Sequence, residues 1–460
     1  MAKSSFHQTH FTRQVQVLLA KIYGRSSLKD SMLDRAINYF DNQTFTGNDE
    51  QQSESQATLH NLEQVERTNH LLSICLEIIE LTEGEDFEET NRKSAQLLGT
   101  IQLASPTEGK RVAANNEQCK SLYKAILSVR LLDRLILDKS LSSHEASDNN
   151  IARIINEFPD SAYADFDLVA KQRFIEQIKI PLLMAALLQD IGNYHSQAQA
   201  ILLGADKKLD PHRALDVEQR KKLLQLNYKH TLNYMSEGLG VASYVGNSKE
   251  ERTQFNIDEQ AKRQFMQLLL KSSFKPKQGL GNLLKVPQIY TSIIFSTKES
   301  YNYKVLPKVF QVVNKNAELG ACSQKVVDAL YQITGLFPQG YGIIYMPEDE
   351  MGQQGDCYEY AIVNRLYPPV PEQPLCRIAT RKLTFIGYGH NIEVKKKNNL
   401  YFPQMAKKVA SLSKERLNEI FELLSSNYQE RQALDLLPRC WHANEFFSVK
   451  ENQKLWNKAD

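Results

Sequence analysis

Residues 181–195 read PLLMAALLQDIGNYH. The apolar run 182–188 predicts a buried helix that ends at the first polar pair, Gln189 and Asp190. Gly192 follows two residues later, where a helix closes with a glycine cap. A carboxylate at the mouth of a core helix belongs either to such a capped end or to a site.

The chain around this stretch has 460 residues, enough for two or three domains with ample core. Hydrophobic residues make up 42% and charged residues 24%, as in soluble globular proteins. The net charge of +2 argues against a nucleic-acid partner, which selects a basic excess. No apolar run reaches the roughly eighteen residues of a membrane span, and MAKSSFHQTHFTRQ lacks a signal-peptide core. A cytoplasmic location is therefore expected. The six cysteines contain no C-x-x-C pair, which excludes the common structural zinc spacings and argues against a disulfide framework.

Upstream of the quoted stretch the pattern is helical. FTRQVQVLLAKIYG and SLKDSMLDRAINYF predict two helices, followed by a polar linker near 41–56. Residues 56–103 are again helical, with Leu71, Ile74, Cys75, Ile78 and Ile79 as the core-facing stripe and Cys75 as a packing residue. Residues 119–139, CKSLYKAILSVRLLDRLILDK, read as an amphipathic helix, and short helices are expected at 151–158 and 163–178. The first 150 residues carry no chemistry in this reading; they form a helical partner-binding module or an embellishment on the next domain.

Downstream, Asp210-Pro211 starts a helix, Gly238 and Gly240 end the next, and a polar segment to Glu259 precedes the helix EQAKRQFMQLLLKSS. YTSIIFSTKESYNY is expected to be helical by context. At Leu336 the texture changes to short segments rich in Tyr, Ile, Val and Thr and broken by Gly and Pro, the signals of a small antiparallel sheet. Lys395 to Lys397 mark a charged edge. Residues 404–426 read as a helical tail.

The quoted stretch resembles the LLHDIGK signature of the HD phosphohydrolases, in which adjacent His and Asp bind metal. Gln189 stands at the histidine position, Asp190 at the aspartate, and Asn193 at a phosphate-contacting lysine. Later segments resemble the HD-GYP branch in the same order. LNYKHTLNYMSEGLG puts His230 at a ligand histidine. KSSFKPKQGLGNL, aligned on Gly279 and Gly281, puts Ser273, Phe274 and Lys275 at the His-His-Glu positions, and Asn282 and Leu283 at Tyr-Pro. SIIFSTKESYN offers Thr297 or Lys298 for an aspartate, and ITGLFPQGYGIIY is similar to a segment that follows the core in some members.

The resemblance implies metal-assisted hydrolysis of cyclic di-GMP, with a cluster of ions lowering the pKa of a bridging water. The substitutions remove that chemistry. An amide is a weak metal ligand, a serine hydroxyl is protonated, Phe274 cannot bind, and Lys275 or Lys298 would repel a dication. Only Asp190 and His230 remain as metal ligands, if any is bound. Their bland readings are a helix-end carboxylate satisfied by backbone N–H groups or a lysine, and a polar residue on a partly exposed helix face. His195 lies near Asp190 in sequence but is set apart because the chain turns after Gly192. Replacement chemistry is not evident: GxSxG, GxxxxGK[ST] and HExxH are all missing. Cys440-Trp441-His442 reads as a surface aromatic patch, and Glu348, Asp349 and Glu350 as a solvated loop.

The expected fold is mainly α: a helical N-terminal module over 1–150, a degenerate HD-GYP-like helical domain over 151–335, a small antiparallel β-rich extension over 336–403 and a helical tail over 404–460. The expected function is a non-catalytic signalling protein that binds a partner or senses cyclic di-GMP; the alternative is a divergent metal-dependent cyclic-di-GMP phosphodiesterase. No cofactor is expected on the first reading, and Fe, Mn or Zn ions on the second. A protein partner or a second copy would dock through the N-terminal module. Lys271, Lys275 and Lys277, with the amides of Gly279 and Gly281, form a candidate phosphate-binding turn, since lysines and backbone N–H groups suit phosphate oxygens.

Overall fold

The computed structural model describes residues 8–24, 30–45, 54–106, 109, 111–138, 168–241, 244–274, 279–348, 358–405 and 439–456. The protein is mainly α-helical, with a small antiparallel sheet toward its C-terminal end. Among the described residues no helix is long and apolar enough to cross a membrane.

Helices α1 (His10–Tyr23), α2 (Met32–Phe45), α3 (Glu54–Thr82) and α4 (Phe87–Ala104) lead to α5 (Val112–Leu137). Side-chain caps fix several starts. Thr9 Oγ1 accepts from Thr12 N at 3.2 Å, and Asp86 Oδ1 from Glu89 N at 2.7 Å, satisfying amides that have no partner within the helix. Helix α2 runs into the expected linker as far as Phe45, and residues 46–53 lie outside the described residues.

Helix α5 overturns the amphipathic reading. Every residue from Ser121 to Asp133 is buried, because the quoted stretch and later helices cover the face that its charges had suggested was solvated. Its neighbours include α4, α7 (Ile180–Leu188), α11 (Asn282–Ile294) and α13 (Gln324–Thr334). The charges inside it are paired. Arg130 bonds Glu83 and lies 2.8 Å from Asp133 Oδ2, while Lys179 Nζ is 2.8 Å from Glu83 Oε2 and 3.2 Å from Asp133 Oδ1. No side chain in this quartet is more than 7% exposed. Buried charges persist where opposite charges and hydrogen bonds replace water.

Helix α6 (Leu168–Phe174) passes through a π-helical turn, Ile175–Lys179, into α7. Helix α8 (Ser196–Leu203) precedes α9 (Val217–Asn233), which a second π turn, Tyr234–Gly238, extends. Asp210 caps only a local turn, accepting from His212 N at 2.9 Å. The helix begins later, with Asp216 Oδ1 accepting from Gln219 N at 2.8 Å. The polar segment before Glu259 is itself helical: α10 spans Lys249–Phe274, its first half mostly exposed and without a buried stripe. Helix α11 ends at Ile294, so the second half of YTSIIFSTKESYNY leaves the helix. A 3-10 turn, Tyr303–Lys308, then leads to α12 (Val309–Glu318).

Strands β1 (Gly342–Tyr345), β2 (Glu359–Val363), β3 (Leu375–Ile378) and β6 (Asn391–Glu393) pair antiparallel in the order β1-β2-β3-β6. Thr380–Arg381 (β4) and Thr384–Phe385 (β5) form a separate hairpin. Lys395 and Lys397 follow β6 and pair with Glu348, Lys395 at 3.4 Å. The aromatic patch around Trp441 is inside the protein rather than on its surface: Cys440 and Trp441 are buried, and Trp441 Nε1 donates to Ala361 O at 3.0 Å. With Trp456, Tyr358 and Tyr360 it forms a second, smaller core on one side of the sheet. The main core runs from Val15 through Val394 to Cys440, so residue 150 does not divide it. The helical tail over 406–426, the helix at 151–158, Asp349 and Glu350 lie outside the described residues.

Candidate functional site

The quoted stretch delivers Asp190 to the end of α7, and a 3-10 turn, Ile191–Tyr194, carries the chain to His195, whose Nδ1 caps α8 by accepting from Gln197 N at 3.2 Å. Gly192 is not a left-handed cap. It is the place where this turn presses on α9: a Cβ there would lie 2.2 Å from Asn227 O and 2.8 Å from Thr231 N. Gly192 N donates to Thr231 Oγ1 at 3.0 Å, and Asn227 Nδ2 donates to Gln189 O at 3.1 Å. These bonds lock the end of α7 onto α9.

Both oxygens of Asp190 are held. Lys124 Nζ, on a side chain 1% exposed, donates to Oδ2 at 2.6 Å, and Gln288 Nε2 of α11 donates to Oδ1 at 2.9 Å. Burial alone would raise this carboxyl; Lys124 and Gln288 more than offset it and hold the group below the usual aspartate range. The lysine form of the bland reading is what the geometry provides. Further cations converge here. Burial pushes the Lys285 amine down, Asp190 and Cys322 raise it, and Arg220 lowers it again. Lys298 is pushed down by burial, then by Lys120, Arg220 and Arg213, against Asp210. Lys285 of α11 and Lys298 of the loop after α11 are thus lowered mainly by burial, with basic groups of α5 and α9 adding to the effect.

His230 is buried rather than partly exposed, because His195 covers it: the two rings stack with centroids 3.4 Å apart and 7° between their planes. His230 Nε2 lies 3.0 Å from Gln197 Oε1, and Phe40 presents its ring to both imidazoles. Among the described residues no hydrogen bond joins His230 to Asp190. Two cationic rings could not stack at this distance, so the geometry disfavours protonation of both. Burial, then the neighbouring His195 and Lys229, push His230 down to about 4, and burial with Lys229 lowers His195. Both folded pKa values lie below that of a free imidazole, near 6.5. The stabilisation is therefore complete above about pH 6.5 and is lost as pH falls toward about 4. Urea midpoints measured across that range should fall with acidification, and His230→Gln should flatten the fall.

The remaining candidates separate. Gln189 is buried, with no hydrogen-bond partner at its Oε1 among the described residues, and Asn193 O accepts from Gln199 Nε2 at 2.7 Å. Ser273 Oγ donates to Leu270 O at 2.7 Å, and Phe274 is exposed against the Tyr228 ring. Lys271 is exposed, and Lys275 and Lys277 lie outside the described residues. Gly279, at φ +102°, accepts Asn282 N and Nδ2 on its carbonyl, while a Cβ on Gly281 would lie 2.2 Å from Ser272 C. Gly281 is thus a close-packing residue that returns the chain from α10 into α11. Lys298 Nζ donates to the carbonyls of His212 and Arg213 at 3.2 and 2.8 Å.

These residues do not fit a metal cluster. One of the two surviving ligands has both oxygens occupied by donors, one of them an ammonium, and the other is bonded to an amide and stacked on an imidazole. Among the described residues no group of three or more His, Cys, Asp and Glu is arranged to hold a metal ion. Sequence reasoning missed Lys124, Lys285, Gln288 and Arg220. The one local signal was Lys124 itself, a lysine within the apolar run SLYKAILSV.

Protein-family models, curated proteins and solved structures give no match to this chain.

Proposed function

We propose that this chain is a non-catalytic signalling protein on an HD-GYP-like scaffold, which binds cyclic di-GMP through the basic side chains around Asp190. The observation that carries the non-catalytic part is the 2.6 Å pairing of Lys124 with Asp190. The carboxylate that the resemblance assigns to a metal already has an internal cation, so it supplies no free ligand and no activated water. The nucleotide part is supported by the convergence of Lys120, Lys285, Lys298 and Arg220. Such side chains suit phosphate oxygens, with Lys120 also paired to Glu117 at 2.9 Å and Lys298 bonded to the carbonyls of His212 and Arg213.

Calorimetry with cyclic di-GMP on the full chain tests this reading. One mole should bind per chain, more weakly as salt rises, and Lys285→Ala should weaken binding about tenfold. Absence of binding by protein with native helical content would sink the nucleotide reading. Metal analysis on the same sample separates the enzymatic alternative: two or more tightly held Fe, Mn or Zn ions with cyclic di-GMP hydrolysis would overturn the non-catalytic reading.

A further inference from the structure

A recess of about 300 Å³ opens between α3, α7 and α10. Its apolar lining comes from Leu72 of α3, Ile180 and Met184 of α7, Phe255 and Met266 of α10, and Leu239. Both π-helical turns of the described residues border it. Ile175–Lys179 contributes Glu176 and runs directly into Ile180, and Tyr234–Gly238 runs directly into Leu239. A π turn adds a residue to the helix and shifts the side chains that follow it off the regular period, a distortion found chiefly at functional sites. Here the residues that follow each turn face the recess.

The polar groups of the lining are mostly satisfied internally. Gly240 N donates to Thr68 Oγ1 at 3.0 Å, Glu176 accepts from Gln172 Nε2 at 2.7 Å, and Glu259 pairs with Lys262 at 2.6 Å. Arg263 has no ion pair or hydrogen bond among the described residues, although it lines the recess and is half-buried. The recess therefore offers apolar surface and one uncommitted guanidinium.

We infer that this recess binds a medium-chain amphiphile with a carboxylate head, its alkyl chain lying on Leu72, Ile180, Met184 and Met266 and its head on Arg263. The guanidinium fork matches a carboxylate with two parallel hydrogen bonds. A recess of about 300 Å³ lies at the small end of ligand pockets, which suits a chain of medium length.

The test is calorimetry of the full chain with hexanoate, octanoate, decanoate and dodecanoate, each below its micelle concentration. One site per chain is expected. Affinity should rise about fourfold per methylene up to decanoate and level off at dodecanoate. Arg263→Gln should weaken decanoate about tenfold and leave decanol unchanged. Affinity independent of chain length, uptake of many molecules per chain, or equal weakening of decanoate and decanol by Arg263→Gln would each overturn the inference.

Discussion

Lys179→Ala is expected to destabilise the protein by about 3–5 kcal/mol, the usual cost of removing one member of a buried ion pair. Lys179 bridges Glu83 and Asp133, and Arg130 closes the other side of the same square. Truncation leaves two carboxylates to share one guanidinium, in a place where water cannot replace the lost ammonium. Most of the cost comes from those stranded charges. For that reason the double change Lys179→Met with Glu83→Gln, which removes a charge of each sign, should recover much of the loss. Urea midpoints with unchanged slopes would establish both effects; equal destabilisation by the single and double variants would refute the account. The quartet also sets an acid limit. Burial raises the Glu83 carboxyl, but Arg130 and Lys179 more than offset it and hold the group at about 2, against an ordinary value of 4.5. Its stabilisation is therefore complete above about pH 4.5 and disappears as pH falls toward about 2. This loss begins where that of the His195–His230 stack ends, so acidification should weaken the fold in two successive stages.

Gly192→Ala is expected to cost about 1–3 kcal/mol through overpacking, with the upper end favoured because its obstacle is rigid. The added methyl would meet the Asn227 carbonyl at 2.2 Å and the Thr231 amide at 2.8 Å, both main-chain atoms within one helix. No side-chain rotation relieves that contact. The turn must instead move away from α9, breaking the Gly192 to Thr231 bond and displacing Asp190 from Lys124 and Gln288. A lowered thermal midpoint is the predicted result, together with weaker cyclic di-GMP binding if the proposed function holds. Stability equal to that of the parent protein would show that the turn can move freely.

How much of this was legible in the sequence follows from the range of each interaction. The apolar run 182–188 announced its buried helix, and the short Tyr-, Ile- and Val-rich segments after Leu336 announced the sheet, because those signals are local. Gly192 was visible but misread, since a glycine just past a helix looks the same whether it turns the chain or admits a neighbour. The charges inside α5 were hidden for another reason. Arg130 meets Glu83 47 residues away, and Lys124 meets Asp190 66 residues away. A lysine whose partner is that distant reads as surface. The first half of α10 failed in the opposite sense: mostly exposed and with no buried residue, it offered no stripe to detect. Of the candidate site, Asp190 was legible as the polar end of the buried helix, whereas the groups that hold its carboxylate come from α5 and α11, which the quoted stretch gives no means of predicting.

The placement of the aromatic side chains has a practical result. The sequence has two tryptophans, and Trp441 and Trp456 both lie in the small core against the sheet, with the Trp456 indole filling the notch left by Gly99 on α4. Intrinsic tryptophan emission is thus a local probe of the sheet side, whereas far-ultraviolet circular dichroism is dominated by the helices. Coincident denaturation curves from the two signals would mark one cooperative unit, and an early shift in emission alone would report release of the sheet while the helical core remains folded.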